Sequence, residues 1–171
     1  MPALFRPPPK ALQAGTPKNW LVLGLATWFG SGLAAKAPGT MGSLAALPFG
    51  WWIGSTFGPW GLMIAGALLF PVGTWAAQVY VTESGEEDPG PVVVDEVVGQ
   101  WMVMAVAPLT PLGVFMAFGL FRFFDILKPW PVSLADRRVK GGFGVMLDDV
   151  LAGLYGMVVA WAVLWGLKDW F

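Results

Sequence analysis

Two adjacent acidic pairs, Asp95-Glu96 and Asp148-Asp149, stand at the edges of long apolar runs in a chain with few other charges. A further carboxylate lies in the pattern Arg122-x-x-Asp125-x-x-Lys128, and a mixed cluster reads Asp136-Arg137-Arg138-x-Lys140. Residues three apart share a helix face, so Arg122 and Asp125 can pair. Ahead of the first long apolar run stands Ala37-Pro38-Gly39-Thr40-Met41-Gly42-Ser43, with Lys36 before it. Glycines there let backbone N–H groups approach a ligand, and a helix N-terminus favours an anion. Thr40 and Ser43 add hydroxyl donors. Hard divalent cations take oxygen ligands, and Mg2+ usually sits on a few carboxylates plus phosphate oxygens. Arginine clamps phosphate through two parallel bonds. A metal can lower the pKa of a bound water and neutralise phosphoryl charge, and phosphoryl transfer needs mainly positioning and charge stabilisation. The chemistry these residue types fit together is metal-assisted reaction of a phosphate ester.

Each cluster also has a plainer reading. Asp148 and Asp149 suit the positive end of a helix dipole as first-turn acids. Arg122 and Asp125 make a structural ion pair, and Arg138 and Lys140 fit as basic residues beside lipid phosphates. Glu86, Glu87 and Asp88 read as a solvated loop. The argument for function rests on the set, because charges within membrane helices are costly and mark function by default.

The composition narrows the chemistry further. With no cysteine among the 171 residues, disulfides, thiolate nucleophiles and iron–sulfur sites are excluded. With no histidine, so are Ser-His-Asp and Cys-His catalysis and the usual zinc sites. The net charge of -1 and the lack of a basic arm give no field for nucleic acid, and nothing requires a protein partner.

The elements that must position these groups are membrane helices. Charged residues make up 12% of the chain, about half the share of a soluble domain. Mean hydropathy is +0.64, and the 11 tryptophans suit a membrane–water boundary. Residues 1–19 carry Arg6, Lys10 and Lys18 with no acid, and Pro7, Pro8 and Pro9 predict an extended or disordered basic cytoplasmic tail. Residues 20–171 then form a single helical domain. No charge occurs from Ala37 to Thr82, enough for two spans of about 20 residues with a turn at Gly58-Pro59. The spans expected are 44–57, 60–81, 93–107, 112–127 and 149–167, the last ending near Lys168 and Trp170. Trp20 to Ala35 lies in the interface or dips in and returns. The expected fold is an all-α membrane bundle of about six helices, about five of them spanning or partly spanning. A cytoplasmic N-terminus places all five polar clusters on one face, with Lys128, Arg137, Arg138 and Lys140, in keeping with the positive-inside rule.

Four segments in this order resemble the phosphatidylglycerophosphatase A family. They are Gly30-Ser31-Gly32-Leu33 through Ala37 to Leu44; Asp88-Pro89 through Val94-Asp95-Glu96; Phe121 to Pro131; and Gly141 to Asp149 with Ala152-Gly153. The resemblance implies a Mg2+-dependent phosphatase of the bacterial inner membrane, facing the cytoplasm, that converts phosphatidylglycerophosphate to phosphatidylglycerol. It implies an all-helical bundle with a central helix packed by others. By position it makes Asp95, Glu96, Asp125, Asp148 and Asp149 the catalytic and metal carboxylates, with the ion on some of Asp95, Glu96, Asp148 and Asp149. It makes Arg122, Lys128 and Arg137 phosphate ligands beside Lys36, Thr40, Gly42 and Ser43. Lys140 departs from relatives that carry histidine there. Water attack is the expected route, with an aspartyl-phosphate as its rival. Two readings outside hydrolysis remain: a small transporter or ion-pathway protein using intramembrane carboxylates, and a headgroup phosphotransferase.

Overall fold

Prolines and glycines punctuate the apolar sequence into helices. In the computed structural model, which describes residues 4–167, the chain forms α1 (Pro17–Ala26), α2 (Pro38–Ser84), α3 (Val94–Met104), α4 (Pro111–Leu127), α5 (Val132–Arg138) and α6 (Gly141–Leu167). Helices α1, α2 and α4 start on proline, whose missing N–H costs nothing in the first turn. Thr16 and Thr110 cap α1 and α4 by accepting from the N–H groups of Asn19 and Gly113 at 3.2 and 3.1 Å. Among the described residues the extended pairing is a single bridge between Phe5 and Ala34.

A straight helix of the 47 residues of α2 would run about 70 Å, more than twice the hydrocarbon core. It is not straight. Gly58 has φ 70° and ψ -169°, a conformation open to glycine, and breaks the helix. A Cβ placed on Gly54 would lie 3.0 Å from Leu62 Cδ1, although eight residues of helix rise about 12 Å. Gly42 packs on Val93 and Gly73 on Val94, at one end of α3, while Gly50 packs on Met104 at the other. The two arms of α2, 38–57 and 59–84, therefore run antiparallel and embrace α3. The reversal falls at the Gly58-Pro59 turn read from the sequence.

Ten of the eleven residues of α3 are buried, all but Met102. At about 16 Å it is too short to cross a bilayer alone. It is the central helix that the family resemblance implies, enclosed by both arms of α2, α4 and α6, and it ends at Met104, within the span expected over 93–107. The Trp101 indole donates to the Ala46 carbonyl at 3.0 Å and ties it to the first arm of α2.

Three boundaries differ from the sequence reading. Helix α6 begins at Gly141 rather than near residue 149, and α5 forms inside the stretch read as a polar loop. Residues 4–19 are packed where an extended tail was expected. Arg6 N–H donates to the Leu33 carbonyl at 2.7 Å, and Leu12 is buried. Lys168 and Trp170 lie outside the described residues.

Large apolar side chains cover the bundle. Trp60, Leu68, Leu112 and Phe115 are each more than 65% exposed. In water this surface would be an association hazard, whereas lipid tails accept it. Helices α2 and α6 are long and apolar enough to cross a membrane.

Candidate metal and phosphate site

The acids meet because α3 and α6 cross with almost no side chain between them. A Cβ on Gly153 would lie 2.9 Å from the Gly99 Cα and carbonyl oxygen, and a Cβ on Gly99 would lie 2.7 Å from the Asp149 carbonyl and collide with the Phe121 ring. One helical turn from this crossing, the first turn of α3 presents Asp95 and Glu96 and α6 presents Asp149. Oxygens of these three carboxylates lie within 4.8 Å of one another, and all three residues are buried.

Asp95 Oδ1, Glu96 Oε2 and Asp149 Oδ2 are buried without a hydrogen-bond partner. Three carboxylates so close, away from water, repel one another and forfeit solvation. Oxygen ligands from three acidic side chains are the donor set a hard divalent cation takes. The residues present fit such an ion. The helix-dipole reading does not explain Asp149, since α6 has no acid in its first turn and Asp149 sits two turns inside.

Arg122 forms the next layer. Its Nη1 lies 2.5 Å from Asp125 Oδ2 and 3.8 Å from Glu96 Oε1, and it donates to Ser43 Oγ at 3.4 Å. Its Nε is buried and unpartnered. Ser43 Oγ donates to the Gly39 carbonyl at 2.9 Å. At Gly39 a Cβ would collide with Glu96 Oε1 and lie 3.1 Å from Arg122 Nη1. Glycine therefore lets the first turn of α2 close over the acids.

Lys128 caps α4 in the left-handed region, φ 44°. Its ammonium donates to Asp148 Oδ2 at 2.7 Å and also bonds Asp136. Burial works against its charge, but the two carboxylates outweigh that and hold Lys128 above the ordinary lysine value. Asp148 thus faces Lys128, apart from the Asp95, Glu96 and Asp149 trio, with its other oxygen buried and unpartnered.

A cavity of about 450 Å³ joins these groups, reached by Thr40, Asp95, Glu96, Arg122, Asp125, Lys128, Asp148 and Asp149. Four residues read as phosphate ligands lie off its lining. Ser43 is fully buried and accepts from Arg122. Lys36 is exposed beyond the cavity lining. Gly42 is buried against Val93, where it permits helix contact. Arg137 is exposed and lines a neighbouring polar cavity of about 310 Å³ with Glu87, Asp136 and Lys140. Lys140 donates to Glu87 there at 2.7 Å.

Two residues escaped the sequence reading of the site. Gln100 is fully buried one turn beyond Glu96, with both amide atoms unpartnered. The signal was a polar residue in an apolar run at i+4 from an acid. Asp136 was noticed in its cluster, but its role as a Lys128 partner needed the fold.

A family model described as Phosphatidylglycerophosphatase A matches residues 24–164. A protein named Phosphatidylglycerophosphatase A from Haemophilus influenzae is 44% identical over 140 residues, covering 81% of this chain and 86% of the relative. Its Escherichia coli namesake is 42% identical over 132 residues, 76% of each chain. A Bacteroides thetaiotaomicron protein provisionally named a phosphatidylinositol-3-phosphatase is 39% identical over 160 residues, 86% of this chain and 96% of the relative. No solved structure matches the chain.

Proposed function

The chain belongs to the phosphatidylglycerophosphatase A family, and from that membership we propose that it hydrolyses phosphatidylglycerophosphate to phosphatidylglycerol and phosphate at the α3–α6 acidic site. One observation carries the placement: three buried carboxylates converge within 4.8 Å and leave oxygens unpartnered. Asp95, Glu96 and Asp149 would hold a divalent cation, which we take to be Mg2+ from the all-oxygen donor set. When bound, that ion supplies charge neutralisation on the phosphoryl oxygens and acidifies water.

The chain's own residues do the rest. Arg122 lines the cavity and brings its guanidinium charge to phosphoryl oxygens, held in place by Asp125 and Ser43. Thr40 and the first-turn N–H groups of α2 face the same cavity and add neutral donors. A water attacks phosphorus opposite the glycerol oxygen, and Asp125 or Glu96 takes its proton. The P–O bond to glycerol breaks, and the departing oxygen recovers a proton to become the alcohol of phosphatidylglycerol. Lys128, fixed between Asp136 and Asp148, places a lasting positive charge at the cavity wall.

The site lies at the end of the bundle that carries Lys128, Arg137, Arg138 and Lys140, which supports a cytoplasmic-facing position in a bacterial inner membrane. Among the described residues, the opposite end, around Gly58 and 105–113, has no charged residue. A transport pathway would need polar groups at several depths, so hydrolysis is favoured over the transporter reading.

The test is phosphate release by detergent-purified protein from phosphatidylglycerophosphate, with Mg2+ and with chelator, beside phosphatidylinositol 3-phosphate as the competing lipid. Turnover of the first lipid alone, lost with chelator, is the expected result. Unchanged turnover with chelator rejects the metal role. Preference for the inositol lipid rejects the substrate.

A further inference from the structure

The acidic cavity lies under the first turn of α2 and the last turns of α4, and polarity changes there within a few residues. Arg122 and Asp125 turn inward to the acids, while Phe123, Ile126 and Leu127 on the same helix are 57%, 71% and 59% exposed. Beside these three side chains lies a largely apolar hollow of about 370 Å³, which shares Arg122 and Ile126 with the acidic cavity. Met41 and Leu44, near the start of α2, are also exposed.

Two other flanks are closed by packing, and a third, past Asp88 and Asp148, opens only on the polar cavity beside Asp136 and Lys140. Between α6 and the return arm of α2, a Cβ on Gly142 would collide with the Thr74 carbonyl and the Gln78 backbone N, and Gly142 N–H donates to Gln78 Oε1 at 2.8 Å. Between α4 and α6, the α5 segment is pinned by Lys128 to Asp136 and Asp148 and by Tyr155 O–H, which donates to the Trp130 carbonyl at 2.8 Å. A second apolar hollow, of about 280 Å³ beside Met63, Phe70, Val98 and Met102, shares no residue with the acidic cavity.

Resting on the functional reading above, we propose that the lipid body of the substrate reaches the site sideways, through the gap between the first turn of α2 and the last turn of α4, with its acyl chains on Phe123, Ile126 and Leu127. The occupant is the diacylglycerol part of a phospholipid whose headgroup ends in a phosphomonoester. Its polarity sequence, apolar chains and then an anionic terminus, matches the order of side chains around Ile126. The headgroup turns past Arg122 into the acidic cavity while the chains stay in lipid, so the whole molecule never leaves the bilayer.

The experiment uses the full chain in detergent with phosphatidylglycerophosphate carrying a photoreactive acyl chain, with excess unlabelled substrate as competitor. Competable labelling within 120–128 is expected. Competable labelling at Met63 to Phe70 instead, or no competable labelling, overturns the proposal. A second measurement compares kcat/KM for the diacyl lipid with that for its deacylated, water-soluble counterpart. The ratio should fall about tenfold in Phe123→Ser/Leu127→Ser and hold in Met63→Ser. An unchanged ratio in the double variant, or an equal fall in Met63→Ser, rejects the portal. If wild-type protein releases no phosphate from the lipid, the functional reading fails instead, so the two failures are separable.

Discussion

Gly99 of α3 and Gly153 of α6 meet backbone to backbone, a Cβ on Gly153 having only 2.9 Å to the Gly99 Cα. This contact sets the separation of Asp149 from Asp95 and Glu96. A methyl group there meets main chain, which cannot swing aside. Gly153→Ala should therefore push the helices apart, destabilise the protein by about 1–3 kcal/mol, and cut turnover by more than the stability loss explains. Thermal melting in detergent and turnover well below the melting point would check it. Full activity in a destabilised variant would show that the acids tolerate the shift.

Adjacent acids should behave differently. Asp149 belongs to the carboxylate trio, whereas Asp148 is held by Lys128. Asp149→Asn should lower kcat/KM roughly 10²-fold or more, about 2.7 kcal/mol of transition-state stabilisation, and raise the Mg2+ concentration needed for half activity. Asp148→Asn should leave that Mg2+ requirement near wild type and act mainly through KM. Titrations of activity against Mg2+ for both variants test this, and a parallel shift in the two would place Asp148 with the trio.

The contrast between those neighbours marks where sequence stops being informative. Successive helical residues point about 100° apart, so Asp148 and Asp149 must face different partners, but only the fold shows that Lys128 takes one of them. The reversal of α2 was legible because Gly58 followed by Pro59 is a local signal. The start of α6 was not. Gly141-Gly142 reads as a loop, yet Gly142 is small because the α2 backbone at Thr74 and Gln78 leaves no room for a side chain. Apolar composition likewise could not tell α3, buried on nearly every side, from a helix facing lipid. The three prolines after Arg6 spoke for a loose tail, while Leu12, their neighbour, supplies the contact that packs it down. The acids themselves stood out in an uncharged background, and their grouping into a trio and a lysine-bound pair came from the helix crossing.

Lys128 joins three elements through two carboxylates, with its side chain 29% exposed. Lys128→Met would leave Asp136 and Asp148 with no cation and should cost about 1–2 kcal/mol after allowing for partial solvation. The sign with pH follows from the raised pKa. The wild-type contribution is complete below the ordinary lysine value of 10.5 and is lost only as pH climbs through the raised folded value. Melting temperatures of wild type and variant should thus differ by a constant amount across neutral and mildly alkaline pH and converge in strong alkali. A gap that closes already near neutrality would show that Lys128 does not carry the link.

Gln100 has no exposed surface and no partner for either amide atom. A buried, unsatisfied amide costs about 1–3 kcal/mol, so its presence one turn from Glu96 needs a return. Gln100→Leu removes the polar atoms with little change of volume. It should raise the melting temperature and at the same time reduce kcat, the exchange of stability for activity expected where a polar group serves the site. Parallel melts and kinetics on Gln100→Leu and Gln100→Glu would decide the point. A stabilised Leu variant with undiminished turnover would make Gln100 a structural residue without part in the reaction.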